Sequence, residues 1–301
     1  MMVAFRQSGI ETLMVGNGLD GEQAMTMKIG IALGGGGARG LAHILMLEVF
    51  DELGLRPHCI AGTSMGAVIG ALYASGMPAR LILEEVHAIV GAGAATRRGL
   101  QNIKAILKWV EFKDLELGSH GVFRGDRFVQ RLCETMGVTD FGALKIPLKV
   151  VATDFWASRQ VVLDSGLLLP AIRASMGLPG LFTPIRVNGR VLVDGGGVNP
   201  VPHDVITGCD YVVAVDVMGY LGGGIEKRPH VFRSIMGMFD IMQNTIIAEK
   251  RKSTPPDLYI KPEIYNVDLL AFDKVGSILR QAGPARDALK AGLAALVQGG
   301  R

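Results

Sequence analysis

The chain has 301 residues with 31 Lys+Arg against 28 Asp+Glu, a near-balanced charge that gives no reason to expect a nucleic-acid partner. With 49% hydrophobic residues and a mean hydropathy of +0.33, it can bury a large core, and no Pro- or Ser-rich linker or internal repeat divides it. The three cysteines, Cys59, Cys133 and Cys209, are odd in number and lie in apolar runs without metal-ligand spacing. They read as buried free thiols of a reducing compartment, which points to the cytoplasm, and no metal or other cofactor is expected.

In chain order, residues 1–26 lack the continuous apolar stretch of a signal peptide. They are read as a disordered extension or as an upstream start codon used in place of Met27. The strand-like run Lys28 to Leu33 then delivers Gly34-Gly35-Gly36-Gly37-Ala38-Arg39-Gly40 ahead of a helical run, Leu41 to Leu53. Consecutive glycines at a helix start form a nest of N–H groups suited to an anion. Gly35-x-Gly37-x-x-Gly40 also fits the dinucleotide fingerprint, but the next strand, His58 to Gly62, carries no acid to hold a ribose. The nest is therefore read as an oxyanion hole built from the amides of Gly35, Gly36 and Gly37. Arg39 has three readings: it orients the glycine loop, meets a lipid phosphate, or starts a helix at the surface.

That next strand ends in Gly62-Thr63-Ser64-Met65-Gly66. A serine between two glycines at a strand-to-helix junction is the pattern of a nucleophile elbow, in which larger flanking residues would collide with neighbouring backbone. The small apolar stretch Ala67 to Ala74 is expected to be a helix packed on the sheet beneath Ser64. The uncharged run Cys59 to Ala79 is long enough to span a bilayer, but its glycines, serines and Pro78 argue for a buried helix. Leu100, Ile103, Ile106, Leu107 and Val110 form a helical stripe with Trp109 and Phe112 near its end. The segment Leu100 to Phe112 is read as a lid or as a helix on the core.

Further on, strand-like runs Leu148 to Thr153, Arg190 to Val193, Tyr211 to Val215 and Asp257 to Lys261 alternate with helical patterns. They predict a three-layer α/β/α fold around a mostly parallel sheet. Gln160 to Leu163 is read as a hairpin strand closed by Asp164. Asp194, on the turn Asp194-Gly195-Gly196-Gly197, is the candidate base; Asp154, Asp164 and Asp216 compete for the role, and Ser175 is the rival serine. His203 or His230 would complete a triad if one exists, though His203 is read rather as the start of a helix, His203 to Thr207. Val231 to Glu249, rich in methionine and preceded by Gly222-Gly223-Gly224, is a candidate acyl site, dimer face or core helix. The stretch from Ala285 looks like an amphipathic surface helix.

The ordered set Gly35-Gly36-Gly37-Ala38-Arg39-Gly40, Gly62-Thr63-Ser64-Met65-Gly66 and Asp194-Gly195-Gly196 resembles the patatin-like phospholipase family, in the bacterial branch related to the neuropathy target esterase catalytic domain. Ala152-Thr153-Asp154, the stretch Ala174 to Pro184, and Pro255-Pro256-Asp257 add to the likeness. The resemblance implies Ser64 as nucleophile, Asp194 as its base, and the Gly35 to Gly40 loop as oxyanion hole, in a catalytic domain over 27–271 with a helical segment, 272–301, packed on it. The expected substrates are phospholipids or lysophospholipids met at a membrane surface. A dyad with an aspartate base suits esters better than amides. An esterase with a Ser-His-Asp triad, and a lipid-binding module without catalysis, are the alternatives.

Overall fold

The computed structural model describes residues 27–94, 115–118, 121–123, 134–219 and 231–299. The N-terminal extension, the candidate lid Leu100 to Phe112, the loop Gly222 to Gly224, His120, His230 and Cys133 lie outside the described residues.

Five parallel strands form most of one sheet: β1 (Ile29–Leu33), β2 (Cys59–Thr63), β5 (Leu148–Asp154), β9 (Tyr211–Val215) and β10 (Leu258–Ile260). They run β10-β9-β1-β2-β5 across it, with β6 (Arg159–Leu163) antiparallel on β5. The central strands are continuous apolar runs because both sheet faces are covered. Ile29, Ile31, Leu33, Ile60, Val213 and Val215 face one cluster, while Ala32, Ala61 and Ala214, alternate in sequence, face the other side. Large residues thus pack under one helical layer and alanines admit the second closely.

The first layer holds α1 (His43–Glu52), α2 (Met65–Ala74), α3 (Ala79–Ala94), α4 (Leu168–Ser175) and α6 (Val275–Gly299). The second side is covered by α5 (Val231–Ser253), whose Ile247 packs with Val201, Ala214 and Met218. A small separate ribbon pairs β3 (Leu115–Gly118) with β4 (Gly121–Phe123).

Register decides where the chemistry sits. β6 pairs with β5 from Val150 to Asp154, β2 pairs with β5 up to Val151, and β8 (Arg190–Asp194) pairs antiparallel from Ala152 onward. Since β6 occupies one edge throughout, β2 and β8 share the other and run toward each other along it. Their carboxyl ends, Thr63 and Asp194, fall opposite the consecutive residues Val151 and Ala152. β7 (Ile185–Val187) completes a hairpin with β8. Sequence periodicity locates β8 but not its direction, which is set by this shared edge.

Three expectations are corrected. The helix expected from His203 is only a 3-10 turn, His203–Val205. The C-terminal helix starts ten residues before Ala285, at Val275, and continues through Pro284. It is no surface helix along its whole length, because Leu289 and Leu293 are fully buried in the main core.

Candidate active site

Ser64 stands between β2 and α2 with φ 53° and ψ −121°, a conformation few non-glycine residues adopt. Such strain costs on the order of 1–3 kcal/mol and persists only where the surroundings enforce it. They do so here. The Ser64 N–H donates to Ser175 Oγ at 2.8 Å, and Ser175 Oγ donates to the Val151 carbonyl at 2.6 Å. The Ser64 carbonyl accepts from Ala67 and Val68 and starts α2. Space around the turn allows only glycine: a Cβ on Gly62 would lie 2.5 Å from Ala67 Cα, and one on Gly66 would lie 2.0 Å from the Leu33 carbonyl oxygen. Ser175, fully buried, is thus the prop of the elbow, which removes it as a rival nucleophile.

Asp194, at the end of β8, lines the same cleft as Ser64, whose side chain is near enough to favour the ionised carboxyl. Its Oδ1 also accepts from the Gly196 N–H at 2.7 Å, and its main chain is held by Thr153 Oγ1 at 2.7 Å and by the Gly177 carbonyl at 3.0 Å. Burial pushes the Asp194 carboxyl up to about 6, against the lowering effect of the Gly196 N–H and the nearby Ser64 hydroxyl. Gly195 is required for this meeting of strands, since a Cβ there would lie 2.3 Å from the Val151 carbonyl oxygen.

The glycine loop can be accounted for group by group. The Gly34 N–H donates to Val215 O at 3.0 Å, the Gly35 N–H to Pro200 O at 2.9 Å and the Ala38 N–H to Leu269 O at 2.7 Å. On the acceptor side, His43 Nε2 meets Gly34 O at 2.7 Å and Arg39 Nε donates to Gly36 O at 3.2 Å. The amides of Gly36 and Gly37 are left without a partner among the described residues, and both residues line the cleft with Ser64. Of the three glycines expected to form the oxyanion hole, Gly35 has its amide engaged by Pro200 O, and a Cβ there would make only ordinary contact with Ser64 Cβ at 3.4 Å.

Of the readings of Arg39, the structure keeps one. The side chain is 4% exposed and pairs with Asp240 of α5 at 3.3 Å while holding Gly36 O. It orients the loop and cannot reach a surface phosphate. Gly40 is packed against Met65, and Ala38 lies in the core. His43 is a supporting residue that the sequence gives no reason to single out; burial drives its imidazole down to about 4, so it is neutral and donates from Nε2.

The competing residues are elsewhere. Both ring nitrogens of His203 face carbonyl oxygens, Val201 and Thr254, each at 2.9 Å. Asp216, fully buried, accepts from Met218 N, Tyr259 OH and Lys261 Nζ. Asp154 caps its hairpin by accepting from Ala157 N at 3.1 Å, and Asp164 is exposed.

Ser64 and Asp194 line one cleft whose walls are mostly apolar. Its apolar walls include Met65, Met176, Leu178, Phe182, Phe239 and Phe272. The helix α5 thus contributes Phe239, Asp240 and Gln243 to the cleft. Its neighbouring face presents Ile235, Met238, Ile241 and Met242, each more than half exposed.

The patatin-like phospholipase sequence family matches this chain over residues 31–206, which contain the glycine loop, the elbow and Asp194. The chain belongs to the patatin-like phospholipase family. Within it, the chain is 33% identical over 225 residues to an uncharacterized NTE family protein of Mycobacterium tuberculosis, covering 71% of this chain and 58% of the relative. It is 30% identical over 279 residues to Lysophospholipase NTE1 of Kluyveromyces lactis, covering 83% of this chain but 18% of that protein. The patatin-like chain therefore spans little more than half of the first relative's length and under a fifth of the second's. Among solved structures, it aligns with VipD from Legionella pneumophila at 12% identity and a TM-score of 0.45, over 88% of this chain and 66% of that one.

Proposed function

We propose that this patatin-like chain is a serine hydrolase that cleaves acyl ester bonds of lipids, of the phospholipase A or lysophospholipase type, through a Ser64–Asp194 dyad. The observation that carries the reading is that Ser64, at its strained turn, and a buried carboxylate raised to about 6 line one cleft with no described histidine between them. Such a carboxylate is a stronger base than a solvated one and is still ionised at neutral pH. Asp194 takes the proton as Ser64 Oγ attacks the ester carbon, and the developing oxyanion is received by the Gly36 and Gly37 amides. The proton passes to the departing alcohol as the acyl-enzyme forms. Water, deprotonated by the same carboxylate, then releases the fatty acid. The apolar cleft supports an acyl chain as the group bound, and the name of the Kluyveromyces lactis relative supports a lysophospholipid as the ester.

The test is a fluorophosphonate probe followed by a panel of lysophospholipids, diacyl phospholipids, monoacylglycerols and short acyl esters. Ser64→Ala is expected to lose both labelling and hydrolysis, while Ser175→Ala keeps labelling and melts at a lower temperature. Labelling that survives Ser64→Ala would place the nucleophile elsewhere.

A further inference from the structure

Beyond the cleft, two hairpins end side by side at the carboxyl end of β5, the end of the sheet that carries Ser64 and Asp194. The first turns through Phe155, Trp156, Ala157 and Ser158 between β5 and β6; the second turns through Asn188 and Gly189 between β7 and β8. They are joined by the Phe155 N–H donating to Val191 O at 2.9 Å. Phe155 and Trp156 are 49% and 78% exposed and touch edge to face, with ring centroids 5.0 Å apart. Two contacting aromatic rings held in water at a loop tip give up burial that either could find in a core.

The exposed charges beside them on these hairpins are positive. Arg159, Arg186 and Arg190 are exposed on the same two hairpins. Asp154 lies 3.8 Å from Arg190 and is 8% exposed at its side chain, so it offsets one of the three positive charges. From Phe155 to Val193 the sequence contains one acid, Asp164, at the far end of β6. Aromatic tips with a cationic surround match the interface of an anionic bilayer, where indole rings settle at headgroup depth and each basic side chain adds about fivefold to binding.

We infer that the paired hairpin tips, Phe155–Trp156 with Arg159, Arg186 and Arg190, dock the protein on an anionic phospholipid surface. Asp194 is four residues along β8 from Arg190, on the order of 13 Å at strand rise, so docking there brings the reactive end of the sheet toward the lipid.

The full chain is tested by co-sedimentation with vesicles of phosphatidylcholine alone and of phosphatidylcholine mixed with phosphatidylglycerol. Preference for the mixed vesicles, lost at high salt, is expected of the wild type. Arg159→Gln with Arg186→Gln should weaken binding to the mixed vesicles by about 25-fold, and Phe155→Ala with Trp156→Ala by about tenfold. All four side chains are on exposed hairpins, so circular dichroism, melting temperature and hydrolysis of a short soluble ester should be unchanged. The Ser64→Ala protein should bind vesicles as the wild type does, which separates this surface from the catalytic reading. Equal binding to both vesicles, no vesicle binding, or arginine variants that bind like wild type would overturn the inference. So would a wild-type dimer that Phe155→Ala with Trp156→Ala converts to monomer, since the tips would then be a contact between copies of the chain.

Discussion

Asp194 is a carboxylate in a place that penalises its charge, and the penalty is open to measurement twice. In the proposed dyad ionised Asp194 accepts the Ser64 proton, so kcat/KM for a soluble ester should rise with pH through about 6 and level off above it. The same group links pH to stability. Its carboxyl rises from the usual 3.8 to about 6 in the fold, so between those values the native state holds more proton than the unfolded one and stability falls as pH increases. Above pH 6 the whole cost is present, on the order of 3 kcal/mol for a rise of roughly two pH units. Asp194→Asn keeps an acceptor for the Gly196 N–H and removes the buried charge. We predict that it loses about two or more orders of magnitude in ester hydrolysis yet melts above the wild type at pH 8, with the difference vanishing near pH 4. A variant that melts below the wild type at both pH values would mean that burial does not penalise this carboxylate.

At the scale of elements, the glycine loop is held from two directions. Main-chain carbonyls of Pro200, Val215 and Leu269 take the amides of Gly35, Gly34 and Ala38, while Arg39 ties the Gly36 carbonyl to Asp240 of α5. Fixing the Gly36 carbonyl fixes the peptide whose N–H belongs to Gly37, so in the proposed mechanism Arg39 is a positioning residue for an oxyanion donor. Lysine in its place could keep the charge pair but not the forked donation. Arg39→Lys is predicted to lower kcat on a short ester by about tenfold or more with KM near the wild-type value, as steady-state kinetics would show; an unchanged kcat would place the oxyanion donors outside this loop. The motifs announced the loop, the elbow and Asp194 because glycine is demanded by close approach, which leaves a local mark in sequence. The strand runs that became β1, β2, β5, β8, β9 and β10 were legible for a similar reason, as apolar stretches between turn residues. What no local pattern carried is the engagement of Gly35 by Pro200, 165 positions away in sequence, the role of Ser175, and the direction of β8. Each of these depends on which edge of β5 is free.

Across the whole molecule, the sheet's larger side chains are closed off by a helix that follows the site in sequence. Val275, Ile278, Ala282, Leu289 and Leu293 of α6 are buried in the main core with α1 and the strands, and Lys290 of α6 reaches Glu52 of α1 at 3.0 Å. The exposed ion pair adds little. The four larger apolar residues are worth roughly 1.5–3 kcal/mol each when buried, so together about 6–12 kcal/mol. That is comparable to the entire net stability of an ordinary domain, about 5–15 kcal/mol. The Cys59–Cys209 pair, with sulfurs 3.7 Å apart on the opposite sheet face, offers no substitute because both thiols are free. A chain ending at Lys274 keeps every residue of the cleft yet leaves the first helical layer open. We predict that this truncation shows no cooperative thermal transition, is cut throughout by limited proteolysis, and is not labelled by a fluorophosphonate probe. A truncated protein that melts cooperatively and still labels at Ser64 would show that α6 is an accessory to a fold already complete without it.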